Sequence, residues 1–164
     1  SLVDVDPAGE LDSLRLLSGL LARALADGST GPAPSPADVG RQWAKDHVPA
    51  DPDETPADTP GRWLSKVGRM LDVLHEWGYT PELSTTAGGR TARVVLEDCP
   101  FLGLARSNTA VVCGIHRGLI AGSMEQFGET ATEVSLEPFV GPTTCIAHVS
   151  TRTPFRTTAS KEPA

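Results

Sequence analysis

The stretch TPGRWLSKVGRMLDVLHEWGYTPELS, residues 59–84, contains the change of hydrophobic period that decides the fold class. In its first part the apolar side chains recur every three or four residues, which predicts a helix that opens at Thr59 and Pro60 and ends at Gly78. From Tyr79 the pattern becomes strand-like up to Ser84. The apolar face of the helix is expected in the core; it comprises Trp63, Val67, Met70, Leu71, Leu74 and Trp77.

Downstream of this stretch, the sequence predicts the rest of two β-hairpins with a long helix between them. A Thr-Ala-Gly-Gly turn at 86–89 and a Gly141-Pro142 turn mark the two hairpin loops. A short turn or helix is expected at Cys99–Leu102. The remaining elements are strands over Arg90–Glu97, Ala131–Phe139 and Thr144–Val149, and a helix from about Asn108 to Phe127.

Upstream, two further helices are predicted. The first spans Pro7–Ala26, and its apolar stripe consists of Leu11, Leu14, Leu17, Leu21 and Leu25. A Gly/Pro/Ser-rich linker over 27–36 follows, and its end, with Ser35 as N-cap and Asp38 behind it, starts a second helix that runs to about His47. Residues 48–58 carry three prolines and four acids, which predicts a surface loop.

These elements predict an α+β fold, a small antiparallel sheet of two hairpins packed with about four helices. We expect one domain over residues 1–150 and a disordered tail over 151–164. The net charge of -7 and the isoelectric point near 5.0 argue against direct nucleic-acid binding. No apolar run approaches the roughly 20 residues that span a bilayer, so a cytoplasmic protein is expected.

Four residues form the sharpest candidate site, a metal centre made of Cys99, Cys113, His116 and Cys145. Cys113 and His116 are three residues apart on a predicted helix, so one ion can contact both. Thiolate ligands favour zinc or an iron–sulfur cluster. His148 is excluded because it lies three residues from Cys145 on a strand, which turns the two side chains to opposite faces.

Two alternatives to this metal centre stay open. In the first, the cysteines only pack, and the domain binds a small molecule between helices and sheet. In the second, Cys113 is the nucleophile of a thiol enzyme with His116 beside it, although no catalytic motif supports any enzyme. The acidic clusters at 51–54 and 125–133 are expected to be solvated, and His47 and His75 to be ordinary surface or helix-end histidines.

Several segments carry a resemblance to a known family. They are Leu71–Leu83, Val94–Phe101, Leu104–Arg106, Val111–His116, Gly118–Ile120, Leu136–Pro138 and Cys145–Ala147. Together they resemble the C-terminal half of actinobacterial ArsR/MarR-like winged-helix transcriptional regulators, which are related to iron–sulfur cluster assembly repressors. The Cys-Pro-Phe at 99–101 and the Val-Cys-x-x-His at 112–116 are its most specific parts.

The resemblance implies an effector-sensing and dimerisation domain, which is not an enzyme. It implies a homodimer, an unknown metal or small-molecule effector, and DNA contact only through a winged helix that would precede Ser1. The chain would then be a fragment of a longer regulator. In the cluster-binding members of the family, cysteines that match Cys99, Cys113 and Cys145 hold the cluster, so that His116, another side chain or an external ligand would be the fourth ligand here.

Overall fold

The computed structural model describes residues 34–156, apart from Ala87, Asp98 and Pro100, together with three helical positions, Ser18, Gly19 and Ala22. The rest of the predicted helix Pro7–Ala26 lies outside the described residues, as does the chain after Arg156. Within these limits the fold is α+β, as the sequence predicts. Among the described residues, no helix has both the length and the apolar character needed to cross a membrane.

Between residues 34 and 156, four helices accompany the sheet: α1 Pro36–His47, α2 Pro60–Glu76, α3 Leu102–Ser107 and α4 Thr109–Gln126. The predicted capping box begins α1, because the Asp38 amide donates to Ser35 Oγ and the Ser35 amide donates to Asp38 Oδ2, over 3.2 and 3.1 Å. Thr59 caps α2 by accepting from the Arg62 amide. Gly78, with a φ of 102°, follows the end of α2, as the pattern predicts.

The sheet has the strands β1 Thr80–Thr85, β2 Thr91–Glu97, β3 Thr132–Glu137 and β4 Cys145–Thr151. Their order is β1-β2-β4-β3, and every neighbouring pair is antiparallel, so two hairpins lie side by side. Alternate residues of the two central strands are buried, including Val94, Leu96 and Val149. The core therefore lies on one face of the sheet, where α4 packs.

The closest packing of the fold is between α1 and α4, where glycine meets backbone. A Cβ atom at Gly118 would lie 1.9 Å from the Ala37 carbonyl oxygen, and one at Gly40 would lie 2.1 Å from the Ile115 carbonyl oxygen. Any larger residue at either position would force the helices apart, because real Cβ atoms do not approach other atoms so closely. Glycine thus fixes the position of α4, the helix that carries Cys113 and His116.

The predicted surface loop at 48–58 is more firmly held than the sequence suggests. Val48 and Ala57 are buried, with exposed fractions of 6% and 0%. Arg69 on α2 contacts the Glu54 carboxylate over 2.5 Å, and the Gln126 side-chain amide on α4 donates to the Val48 carbonyl over 2.9 Å. These contacts fasten the surface loop to two helices and bury Val48 and Ala57, whereas most of its other residues are exposed.

The predicted disordered tail is also corrected over its first part. Thr151 is the last residue of β4 and is buried. The Arg152 amide donates to the Ala131 carbonyl over 3.0 Å, and the Arg156 amide donates to the Asp58 carbonyl over 2.7 Å. Phe155 packs against the core. The chain is therefore tied down as far as Arg156, because its backbone continues to find partners beyond the sheet.

Candidate functional site: the thiol cluster

The thiol cluster consists of Cys99, Cys113 and Cys145 with two ring side chains, Tyr79 and His116. Cys145 starts β4 directly opposite Leu96 on β2, and Cys99 follows the end of β2. Cys113 and His116 come from the first half of α4, and Tyr79 lies immediately before β1. One end of the sheet and the helix above it thus supply all five residues.

The centre of the cluster is a hydrogen bond between Tyr79 and His116. The Tyr79 hydroxyl lies 2.7 Å from Nδ1 of His116 and also contacts Nε2. The two rings meet edge to face, with centroids 4.9 Å apart. Both residues are buried, with exposed fractions of 2% and 5%, and the same hydroxyl is 3.8 Å from Cys99 Sγ. Tyr79 was not among the predicted site residues, because its single clue in the sequence is its position between the helix and the first strand.

Burial sets the charge of His116. It lowers the pKa of the imidazole from 6.5 to about 3, because a buried cation loses its hydration. The ring is therefore neutral at physiological pH. Burial likewise raises the pKa of Tyr79 above its usual value, with a further contribution from Cys99. The pair is a hydrogen bond between two uncharged groups.

The thiols are also held in their uncharged form. Burial raises the pKa of Cys99, and it raises the pKa of Cys113 to about 11, with Cys145 and Cys99 adding to the effect on Cys113. Negative charges on neighbouring sulfur atoms disfavour one another, so these contributions reflect the proximity of the three thiols. Near pH 7 Cys99 and Cys113 are thiols rather than thiolates, and thiols are weak nucleophiles.

The four predicted metal ligands do not make up a recognisable ligand group among the described residues. The three cysteines are free, and His116 directs its ring to Tyr79. Within the described part of the chain, no group of three or more histidine, cysteine, aspartate or glutamate side chains is arranged to hold a metal ion. Binding of zinc or an iron–sulfur cluster by these residues therefore stays a prediction, which the described conformation does not support.

The other histidines lie outside the thiol cluster. His148 contacts Glu137 over 2.9 Å, and the strand turns it away from the helices, as predicted. His47 stacks on Trp43 with ring centroids 4.5 Å apart. His75 is exposed near the end of α2. The expectation of ordinary surface or helix-end histidines agrees with these positions.

A second buried polar centre, which the sequence did not indicate, joins Lys66 and Glu129. Their Nζ and Oε1 atoms are 3.7 Å apart, and the side chains are 6% and 1% exposed. Lys66 also donates to the Thr55 carbonyl over 2.5 Å, and Glu129 accepts from the Ala57 amide over 2.6 Å. The prediction that the acids of 125–133 are all solvated is therefore wrong for Glu129. The pair fastens the 48–58 loop to α2.

Comparison with known proteins gives little beyond a distant likeness of shape. No family model matches the chain, and no curated protein matches it. A crystal structure of trafficking protein particle complex subunit 3 from Naegleria fowleri, covalently bound to palmitic acid, is similar over 93% of this chain and 100% of its own. The sequence identity is 12% and the TM-score is 0.42. A likeness at this level assigns no function to this chain.

The prediction of an effector-sensing domain from a transcriptional regulator is corrected by these findings. The structural match is to a subunit of a trafficking complex and not to a regulator, and no family or curated match supports the resemblance to winged-helix regulators. The residues that carried this resemblance, Val94–Phe101 and Val111–His116, lie in β2, the turn after it and α4. Their main role in the fold is to build the core around Tyr79 and His116.

Proposed function

We propose that this chain is a non-enzymatic assembly domain that forms a homodimer through the Leu-rich segment 7–26. The observation that carries the proposal is the stripe of Leu11, Leu14, Leu17, Leu21 and Leu25, which recurs at helical spacing. An amphipathic helix is stabilised chiefly by burying its apolar face against another element. A second copy of the same segment provides such a face with two-fold symmetry.

A second long apolar face, that of helix α2, already packs inside the domain. Trp63, Met70 and Leu74 on α2 are fully buried against the core. That face cannot meet a partner unless the domain unfolds. With the apolar face of α2 used inside the domain, the Leu-rich segment stays the candidate interface.

The absence of enzymatic activity is proposed from the chemistry of the thiol cluster. A cysteine nucleophile needs a base or a cation that stabilises the thiolate. His116 is neutral and bonded to Tyr79, and the pKa of Cys113 is raised rather than lowered. Both shifts oppose a thiolate–imidazolium pair, which the thiol-enzyme alternative would require.

The net charge opposes dimerisation and makes the proposed dimer dependent on salt concentration. Each copy carries a net charge of -7, so two copies repel each other. Apolar contact must overcome this repulsion, and added salt screens it, with a Debye length of about 8 Å at physiological ionic strength. Association should therefore strengthen as the salt concentration rises.

The test is the molar mass of the full chain by sedimentation equilibrium at several salt concentrations. The unaltered chain is expected to be dimeric, and the double variant Leu14→Asp/Leu21→Asp to be monomeric at the same concentration. The matched control is Leu83→Asp, which makes the same change at a 40% exposed leucine of β1 and should leave the dimer intact. A monomeric unaltered chain, or a double variant that remains dimeric, would refute the proposal.

A further inference from the structure

The loop between β3 and β4, residues 138–144, contains a strained backbone position. Phe139 has a φ of 53°, and it is the one non-glycine residue with a positive φ in the described part of the chain. A Cβ atom in this left-handed region crowds the following carbonyl oxygen, so residues other than glycine adopt it rarely. A bulky aromatic residue stays there only when its surroundings hold it in place. The contacts of this loop must therefore balance its strain.

Three contacts hold the loop, which we call the strap. The Phe139 side chain is partly buried and packs against the core. The Arg106 guanidinium on α3 donates to the Pro142 carbonyl over 2.9 Å. The Thr144 hydroxyl donates to the Glu97 carboxylate, whose oxygen atoms lie 2.9 and 3.1 Å away. The first of these hydrogen bonds is exposed and the second is partly buried, so both can break without unfolding of the core.

We infer that the strap, residues 138–144, opens and closes as a unit while the rest of the domain stays folded. Opening breaks the two hydrogen bonds, but it also relieves the backbone strain at Phe139. It leaves the strand pairing intact, because β3 ends at Glu137 and β4 begins at Cys145. Local openings of this kind require less free energy than global unfolding.

Opening of the strap exposes two side chains at one end of the sheet. Phe139 leaves the core surface on which it packs. Cys145, the residue after Thr144, begins β4 opposite the buried Leu96 and is itself partly buried. Its thiol becomes accessible to a reagent when Thr144 releases the Glu97 carboxylate. The strap is thus a gate at this end of the sheet, and the reactivity of Cys145 reports whether the gate is open.

The experiment measures how fast the full, folded chain reacts with dithiobis-nitrobenzoate at urea concentrations below the unfolding transition. In the Cys99→Ser/Cys113→Ser variant, the released coloured thiolate reports Cys145 alone. The Cys99→Ser/Cys145→Ser variant reports Cys113 on α4 in the same way. Because a local opening exposes little surface, the reaction rate of Cys145 should not change with urea in this range.

Two pairs of substitutions separate the strap from general stability. Arg106→Ala removes one anchor and should raise the reaction rate of Cys145 about tenfold. Arg152→Ala is the matched control, because it removes a surface ion pair at the other end of the same hairpin and should leave that rate unchanged. Phe139→Gly and Phe139→Ala lose the same ring but differ in their tolerance of a positive φ. Cys145 should therefore react about fivefold more slowly in the glycine variant.

Three outcomes would overturn the inference. A Cys145 rate that rises with urea in step with global unfolding would exclude a local opening. Equal rates in Phe139→Gly and Phe139→Ala would show that backbone strain does not act on the strap. An equal acceleration of Cys113 and Cys145 by Arg106→Ala would mean that the substitution weakens the whole domain. Circular dichroism checks that each variant has folded, and cysteine-to-alanine backgrounds serve as a second set.

Discussion

The Tyr79–His116 pair and the Lys66–Glu129 pair both bury polar side chains, but they remain stable there by opposite electrostatic means. Burial has shifted the pKa of His116 to about 3, so that this pair carries no charge at neutral pH. Lys66 and Glu129 face each other as an ion pair 3.7 Å apart, with backbone groups of the 48–58 loop as additional partners. The first pair holds α4 to the sheet, and the second holds a loop to α2.

This difference predicts where each pair is vulnerable. A neutral buried histidine lowers the free energy of unfolding as the pH falls, because its imidazole takes up a proton in the unfolded chain but not in the folded one. Removing one partner of a buried ion pair lowers the stability most, because the other partner is left as an uncompensated buried charge. Lowering the pH should therefore weaken the Tyr79–His116 pair, and substituting one partner should weaken the Lys66–Glu129 pair.

The largest expected effect is the dependence of stability on acid at His116. Between pH 6.5 and pH 3 the unfolded histidine is protonated and the folded one is not, so stability is lost as the pH falls through this window. The shift from 6.5 to about 3 corresponds to about 5 kcal/mol over the whole window. Urea unfolding at pH 7 and at pH 4 measures the loss.

Carboxylates also titrate in acid, so the histidine contribution requires two variants. His116→Phe should reduce the acid-induced loss of unfolding free energy, although the variant is less stable at pH 7. His148→Gln, at a partly exposed histidine, should leave the acid-induced loss unchanged. Equal losses in the original chain and in His116→Phe would show that His116 is not a buried neutral group.

The next largest effect concerns the ion pair. Glu129→Leu leaves the Lys66 ammonium buried without its carboxylate and the Ala57 amide without its acceptor, so a loss of about 3–5 kcal/mol in unfolding free energy is expected. Urea denaturation at pH 7 provides the measurement. Glu125→Leu is the matched control, because Glu125 pairs with Arg41 at the surface and its side chain is 40% exposed. That change should cost less than about 1 kcal/mol.

A result in which both glutamate variants lose the same stability would contradict the comparison. It would mean that the buried pair is no stronger a constraint than a surface contact. The urea m-value of each variant should stay unchanged, since a change in m would indicate an altered folded or unfolded state.

The smallest effect is the loss of one hydroxyl. Tyr79→Phe deprives His116 of its hydrogen-bond partner while retaining the ring, which should cost about 1–3 kcal/mol. The chain has a single tyrosine, so its ultraviolet titration reports on this residue alone. Because the pKa of Tyr79 is raised, tyrosinate absorbance should appear above pH 10 only when the protein unfolds. Titration of the folded protein at the usual pKa of about 10 would refute the buried hydrogen bond.

Most of the fold followed from local patterns. The period change near Gly78, the Ser35 capping box and the two turns predicted the order of helices and strands, and the structure confirms this order in the described residues. These features depend on sequence neighbours, which a single sequence reveals.

The buried polar centres did not follow, because burial of a polar group depends on which distant segments cover it. Lys66 offered a clue: it lies within the apolar face of α2, between Trp63 and Met70. A lysine on such a face predicts one of two arrangements: its ammonium group reaches water, or it is buried against a polar partner. Its partner Glu129, in contrast, lies between Glu125 and Glu133, which form surface ion pairs, and nothing in the sequence distinguishes it from them.

The contact between Gly40 and Gly118 has a consequence for cooperativity. Since the two backbones touch, with a Cβ at Gly118 falling 1.9 Å from the Ala37 carbonyl oxygen, no layer of side chains separates α1 from α4 to absorb a small displacement. One helix cannot slide or tilt unless the other moves with it. The two helices therefore behave as a single rigid block that forms and opens as one unit.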